Sequence, residues 1–111
     1  MVLEKTIKRE GLYKEYLTLI NGITKLTEKE KDIVEYLLVL NDLHDEVLST
    51  ENRKKVREQC KITELNLNNH ISNLKKKGII QNIEGILTLN GHIVPNFING
   101  CVVVVYRLNI D

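Results

Sequence analysis

The hydrophobic and polar positions of this chain change period several times, and each change marks an element. Leu12, Tyr16, Leu19, Ile20 and Ile23 recur at spacings of three and four, the mark of one helical face, and Asn21-Gly22 supplies a stop. Thr27-Glu28-Lys29-Glu30 reads as a capping box, in which the threonine oxygen accepts from the Glu30 amide while the Glu30 carboxylate reaches back. Glu28, Glu30 and Asp32 suit the positive end of the helix dipole that follows. Ile33, Val34, Leu37, Leu38 and Leu40 give this helix an apolar arc wide enough to be buried on more than one side. Asn41 to Glu46 is polar and predicts a loop, after which Val47 or Leu48 adds a short strand or staples the next helix.

Ser49 or Thr50 can cap a shorter helix through Cys60, whose only apolar inward positions are Val56 and Cys60. Lys61 and Ile62 leave room for nothing but a tight turn. Thr63 can then cap a helix whose stripe is Leu67, Ile71 and Leu74 with Leu65 beside them, and which Gly78 can end. This stripe is expected to pack on the Ile33–Leu40 arc. Two short helices joined so tightly cross steeply, the helix-turn-helix arrangement.

Beyond Gly78 the period shortens to two. Ile79 to Ile83 and Ile86 to Leu89 flank Glu84-Gly85 and predict an antiparallel hairpin. Asn90-Gly91 marks another turn, Pro95 breaks the ladder, and Phe97 is expected to plug the core from a loop. Asn99-Gly100 launches a strand from Cys101 to Ile110, with Val102, Val104, Tyr106, Leu108 and Ile110 on one face and Val103, Val105, Arg107 and Asn109 on the other. Such a strand is either covered on both sides or an edge that another chain completes, and a paired place in the small sheet is the expectation here. Residues 1–10 have no clean period: Leu3 and Ile7 fit a helix, while Val2 to Ile7 fit an edge strand equally well.

The run Ile62-Thr63, Asn66-Leu67-Asn68-Asn69-His70-Ile71, Leu74 and Lys77-Gly78-Ile79-Ile80 resembles the second and third helices of winged-helix regulators of bacterial and phage type. It also resembles the Lys-Gly-aliphatic passage by which such domains lead into their wing. The resemblance implies an α+β fold: a winged helix-turn-helix of three core helices and a small antiparallel sheet, here with an additional N-terminal helix. On that reading residues 1–24 are an extension that covers the core or dimerises, and residues 25–111 are the winged-helix domain. The tip of the expected wing is poor in Lys and Arg, unlike many wings that reach the minor groove.

Length and composition agree with one ordinary globular domain: 111 residues, 42% hydrophobic and 28% charged. No apolar run approaches the length of a membrane span, and the charges at Glu4, Lys5, Lys8, Arg9 and Glu10 interrupt any signal peptide, so a cytoplasmic location is expected. Cys60 and Cys101 lack the spacing of a zinc site and are expected to be reduced, mostly buried thiols. A net charge of +1 hides an uneven distribution. Residues 1–50 carry 7 Lys/Arg against 10 Asp/Glu, residues 51–77 carry 8 against 3, and residues 78–111 carry 1 against 2. The basic excess thus coincides with the two steeply crossed helices.

That coincidence makes the helix from Glu64 to Lys77 the candidate for a major groove. Asparagine can pair bidentately with adenine N6 and N7, which nominates Asn66, Asn68 and Asn69 for base reading; the resemblance to winged-helix regulators implies the same of Glu64. Arg53, Lys54, Lys55, Arg57 and Lys61, with Ser72, Asn73, Lys75 and Lys76, are expected on the phosphate backbone. Double-stranded DNA is the expected partner, with a homodimer to join two half-sites and a second protein contact through strand 101–110 as further candidates. No cofactor is expected. His44, His70 and His92 show no metal-ligand spacing, and no phosphate loop or nucleophile context is visible, so an enzyme is not expected. The competing reading is a winged-helix protein-interaction module within a larger replication, transcription or virion assembly.

Overall fold

A computed structural model describes residues 2–43 and 46–111. A 3-10 turn at Arg9–Gly11 leads into α1 (Leu12–Thr24), followed by α2 (Glu28–Leu43), α3 (Thr50–Cys60) and α4 (Glu64–Lys76). Two antiparallel hairpins complete the chain, β1 (Ile80–Ile83) with β2 (Ile86–Leu89) and β3 (Phe97–Ile98) with β4 (Cys101–Val102). The architecture is α+β, with helices first and small sheets after them. Among the described residues no helix is long and apolar enough to cross a membrane.

Helix α2 is the element the others pack around. It begins where expected: Glu30 N donates to Thr27 Oγ1 at 3.2 Å, and Thr27 N donates to Glu30 Oε1 at 2.8 Å. Ile33, Val34, Leu37, Leu38 and Leu40 are all buried, and α2 meets α1, α3 and β2. Val56 and Cys60 from α3, Leu67, Ile71 and Leu74 from α4, and Ile80 and Leu89 from the first hairpin join the same core. That hairpin pairs Ile80 with Leu89 and Ile83 with Ile86. Its turn residues Glu84 and Gly85 hold φ of 52° and 86°, the left-handed pair that matches strand twist.

Several expectations fail for identifiable reasons. Asn21-Gly22 does not stop α1, which continues to Thr24 before Lys25 turns left-handed at φ 53°. The Asn21 amide instead closes the following turn, accepting from Leu26 N at 2.8 Å and donating to the Leu26 carbonyl at 3.3 Å. The roll of α1 also differs, because Tyr16 Oη donates to the Ile93 carbonyl at 2.9 Å and buries Tyr16, Leu17 and Ile20. Leu19 and Ile23 are consequently left 56% and 62% exposed. Asn41 to Leu43 stay helical rather than looping, with Tyr13 Oη donating to the Asp42 carboxylate in the last turn of α2. Burial, that bond and the neighbouring negative charge push the Tyr13 hydroxyl up to about 12. Of the expected loop, His44 and Asp45 lie outside the described residues. Val47 and Leu48 are buried in a turn and form no strand.

The expected strand over 101–110 pairs only at Cys101–Val102. From Val103 onward the backbone joins no ladder among the described residues. Alternation sorts the faces only as far as Val105: Val102 and Val104 lean on the core and Val103 and Val105 are exposed, but Leu108 and Ile110, expected on the inward face, are exposed as well. Period two does not supply a neighbouring backbone, and here only Val102 and Val104 of the expected inward face find packing against the core. Tyr106 Oη donates to the Leu19 carbonyl at 2.7 Å, so the segment lies across α1 as a strap. Phe97 sits at the surface on β3 with its ring centroid 6.5 Å from that of Tyr13, rather than plugging the core. Cys60 is buried as expected; Cys101 is exposed.

Candidate nucleic-acid interface

Helix α4 has defined ends. Thr63 Oγ1 accepts from Asn66 N at 3.2 Å, the side-chain cap that the threonine promised. At the other end Ile79 N donates to the Leu74 carbonyl at 2.9 Å and Gly78 N to the Lys75 carbonyl at 3.0 Å, with Gly78 at φ 77°. These two bonds make a complete Schellman motif, and its apolar contact is supplied by buried Leu74 and Ile79. Leu67, Ile71 and Leu74 face the core. Truncating one such leucine costs about 2–5 kcal/mol, whereas losing the cap costs about 1, so the stripe decides how the helix seats.

With the stripe inward, the advance of about 100° per residue assigns every other position. The ridge farthest from the core is Leu65, Asn69, Ser72 and Lys76, all exposed. Glu64, Asn68 and Lys75 lie on one flank; Asn66, Asn73 and half-buried His70 lie on the other. Leu65 therefore does not extend the core stripe as its spacing suggested, and stands 69% exposed.

Helix α3 abuts the flank of Glu64 and Asn68. Ser49 caps it, accepting from Asn52 N at 3.2 Å, and buried Asn52 Nδ2 donates to the Glu46 carbonyl at 2.9 Å. Arg53 Nη1 donates to Asn68 Oδ1 at 2.9 Å while its Nε donates to the Leu48 carbonyl at 3.3 Å. One turn on, Arg57 Nη1 lies 3.7 Å from Glu64 Oε1. These exposed ties are worth about 0.2–1 kcal/mol each, weak enough to be exchanged for a phosphate. The pairing also offsets the Glu64 carboxylate, the one group on this face that would repel DNA.

The predicted backbone residues divide accordingly. Arg53 and Arg57 are brought to the α4 side of α3. Lys55 is turned to the opposite flank, 3.6 Å from Glu51. Lys54, Lys61, Lys75 and Lys76 form no ion pair among the described residues. Lys61 makes the bend between the helices at φ 56°.

Two anchoring lysines escaped the sequence reading. Lys77 Nζ lies 2.6 Å from Glu30 Oε1 and donates to the Lys25 carbonyl at 2.8 Å, tying the end of α4 to the start of α2. Burial pushes the Glu30 carboxyl up, but the bonds from Lys77 and Thr27 more than offset this and hold it below its ordinary value. Lys29 Nζ donates to the Cys60 carbonyl at 3.1 Å, a cation at the negative end of α3. The Glu30 capping box was visible in the sequence; its long-range partner, 47 positions away, had no local signal.

Among the described residues no group of His, Cys, Asp and Glu is arranged to hold a metal ion. A cleft of about 400 Å³ lies beneath the C-terminal strap, lined by Tyr16, Ile20, Ile93 and Val104 among others, and none of the predicted site residues borders it. Comparison with protein-family models, curated proteins and solved structures gives no match to this chain.

Proposed function

We propose that this protein is a sequence-reading double-stranded DNA-binding protein of winged helix-turn-helix type, acting in the cytoplasm as a transcriptional regulator. In this reading α2, α3 and α4 are the core helices, β1–β2 is the wing, and α4 enters the major groove while α3 crosses the phosphate backbone. The observation that carries it is the outer surface of α4. Its amides and hydroxyl at Asn66, Asn69, Ser72 and Asn73 are exposed, and Lys54, Lys75 and Lys76 on the two helices, with Lys61 in the turn between them, supply charge. Asn69 on the outer ridge is the foremost base reader, and Asn68 presents its remaining N–H donors once Arg53 has taken its oxygen. A homodimer would join two half-sites.

Selection of bound fragments from a random duplex pool, with oligomeric state measured alongside, tests the proposal. The expected result is a defined site of about 15–20 base pairs, the scale of two half-sites one turn apart. Binding that vanishes at moderate salt and shows no site preference would overturn it. A second reading, a protein-interaction module in a larger assembly, is favoured by the strap beyond Val102, whose backbone joins no ladder among the described residues and whose Val103, Val105, Leu108 and Ile110 are exposed.

A further inference from the structure

We infer that Leu65 is a specificity-determining residue that reads the 5-methyl group of thymine, so that the preferred duplex carries a T·A pair about two steps from the pair read by Asn69. The inference rests on the DNA-reading proposal and deepens it. Leu65 lies in the first turn of α4, and the first turn of a groove-reading helix is the part that reaches base edges. Glu64, its neighbour there, is drawn sideways to Arg57, and Asn68 is drawn to Arg53. With Leu67, Ile71 and Leu74 buried beneath, the roll of α4 is fixed and Leu65 shares the outermost ridge with Asn69.

Residues four apart on one ridge lie about 6 Å apart along the helix axis, close to two base-pair steps of about 3.4 Å. A leucine can neither donate nor accept a hydrogen bond, so on a base edge it matches one feature alone, the thymine methyl in the major groove. An apolar side chain 69% exposed on an otherwise polar ridge is thereby given a partner of the same character, and the surrounding cations supply the complementary charge for the duplex.

The test uses the intact protein and its selected site. Each thymine is replaced in turn by uracil, which removes only the methyl group and leaves base pairing intact. At one thymine in each half-site, affinity should fall about three- to fivefold, equivalent to about 0.8 kcal/mol for one buried methyl-sized group. In Leu65→Ala that discrimination should disappear, while Asn69→Ala should retain it. Because Leu65 is exposed, the variant's melting temperature should match the parent's within about 2 °C, so that lost folding is not mistaken for lost reading. A selected site indifferent to every uracil substitution, or a uracil effect that persists in Leu65→Ala, overturns the role of Leu65 while leaving DNA reading intact. Failure to select any site overturns both.

Discussion

The contact between Glu30 and Lys77 offers the sharpest test of how α4 is held. Glu30 is 2% exposed, and its Oε1 serves both Thr27 N and Lys77 Nζ. Removing one partner of a fully buried pair costs about 3–5 kcal/mol, but the Lys77 side chain is 30% exposed and can turn toward water. That escape reduces the pair's share to about 1–2 kcal/mol, and the orphaned Thr27 amide adds about 1. Glu30→Ala should therefore lose about 2–3 kcal/mol in all. At about 2.1 cal/mol/K per residue over 111 residues, this lowers the melting temperature by about 9–13 °C in calorimetry. Glu30→Gln, which keeps the shape and an acceptor, should lose about 1 kcal/mol. Because the folded carboxyl titrates below its ordinary 4.5, its contribution is fully present above pH 4.5 and is lost as pH falls through the lowered value. The gap between the parent and Glu30→Gln should hold from neutrality down to about pH 4.5, narrow as pH falls toward the lowered value, and be closed beneath it. A double-mutant cycle with Lys77→Ala should give a coupling of about 1–2 kcal/mol. Strict additivity, or a Glu30→Ala melting point within about 3 °C of the parent, would refute the reasoning.

Three further outcomes can be checked directly. If Lys54, Lys61, Lys75 and Lys76 each meet a phosphate, log affinity for duplex DNA should fall with log salt at a slope of about −3.6, and Lys75→Gln should flatten it by about 0.9 in a fluorescence-anisotropy titration. Asn69→Ala should cost about 1–3 kcal/mol on the selected site and little on random duplex, whereas an equal loss on both would remove base reading from that residue. Burial and the negative charges of Asp32 and Glu35, only partly countered by Lys29, push the Cys60 thiol up, so thiol labelling in the native state should modify exposed Cys101 and spare Cys60 until the protein is unfolded.

Where local chemistry determines an element, it could be read in advance. Thr27, Ser49 and Thr63 each cap the helix they precede, Gly78 ends α4, and Glu84-Gly85 turns the first hairpin, because each acts through bonds within a few positions of itself. What spacing alone leaves open is the rotation of a helix about its axis. Leu17, Leu19 and Ile23 satisfy the periodicity of α1 almost equally, and Tyr16 reaching across to Ile93, 77 positions away, selects among them. Leu65 was drawn toward the core by its spacing and stands out because Leu67, Ile71 and Leu74 take the inward face and leave it on the far side of the helix. The alternation after Cys101 identified the inward valines correctly, yet a ladder needs a second backbone, and none of the pattern in one strand says whether that exists. In the candidate site, residue types were legible, but the division into outer ridge, tied flank and the averted Lys55 was not.

Lys61 carries one more consequence. A lysine at φ 56° occupies backbone space where its β-carbon is crowded and where glycine would rest without penalty, a difference of about 1 kcal/mol. The same exchange would strip a positive charge from the turn between the two helices proposed to meet DNA. Variants screened for surviving heat should thus drift toward glycine at this residue, while those screened for retention on duplex should keep the lysine, and the two selections would pull one position in opposite directions.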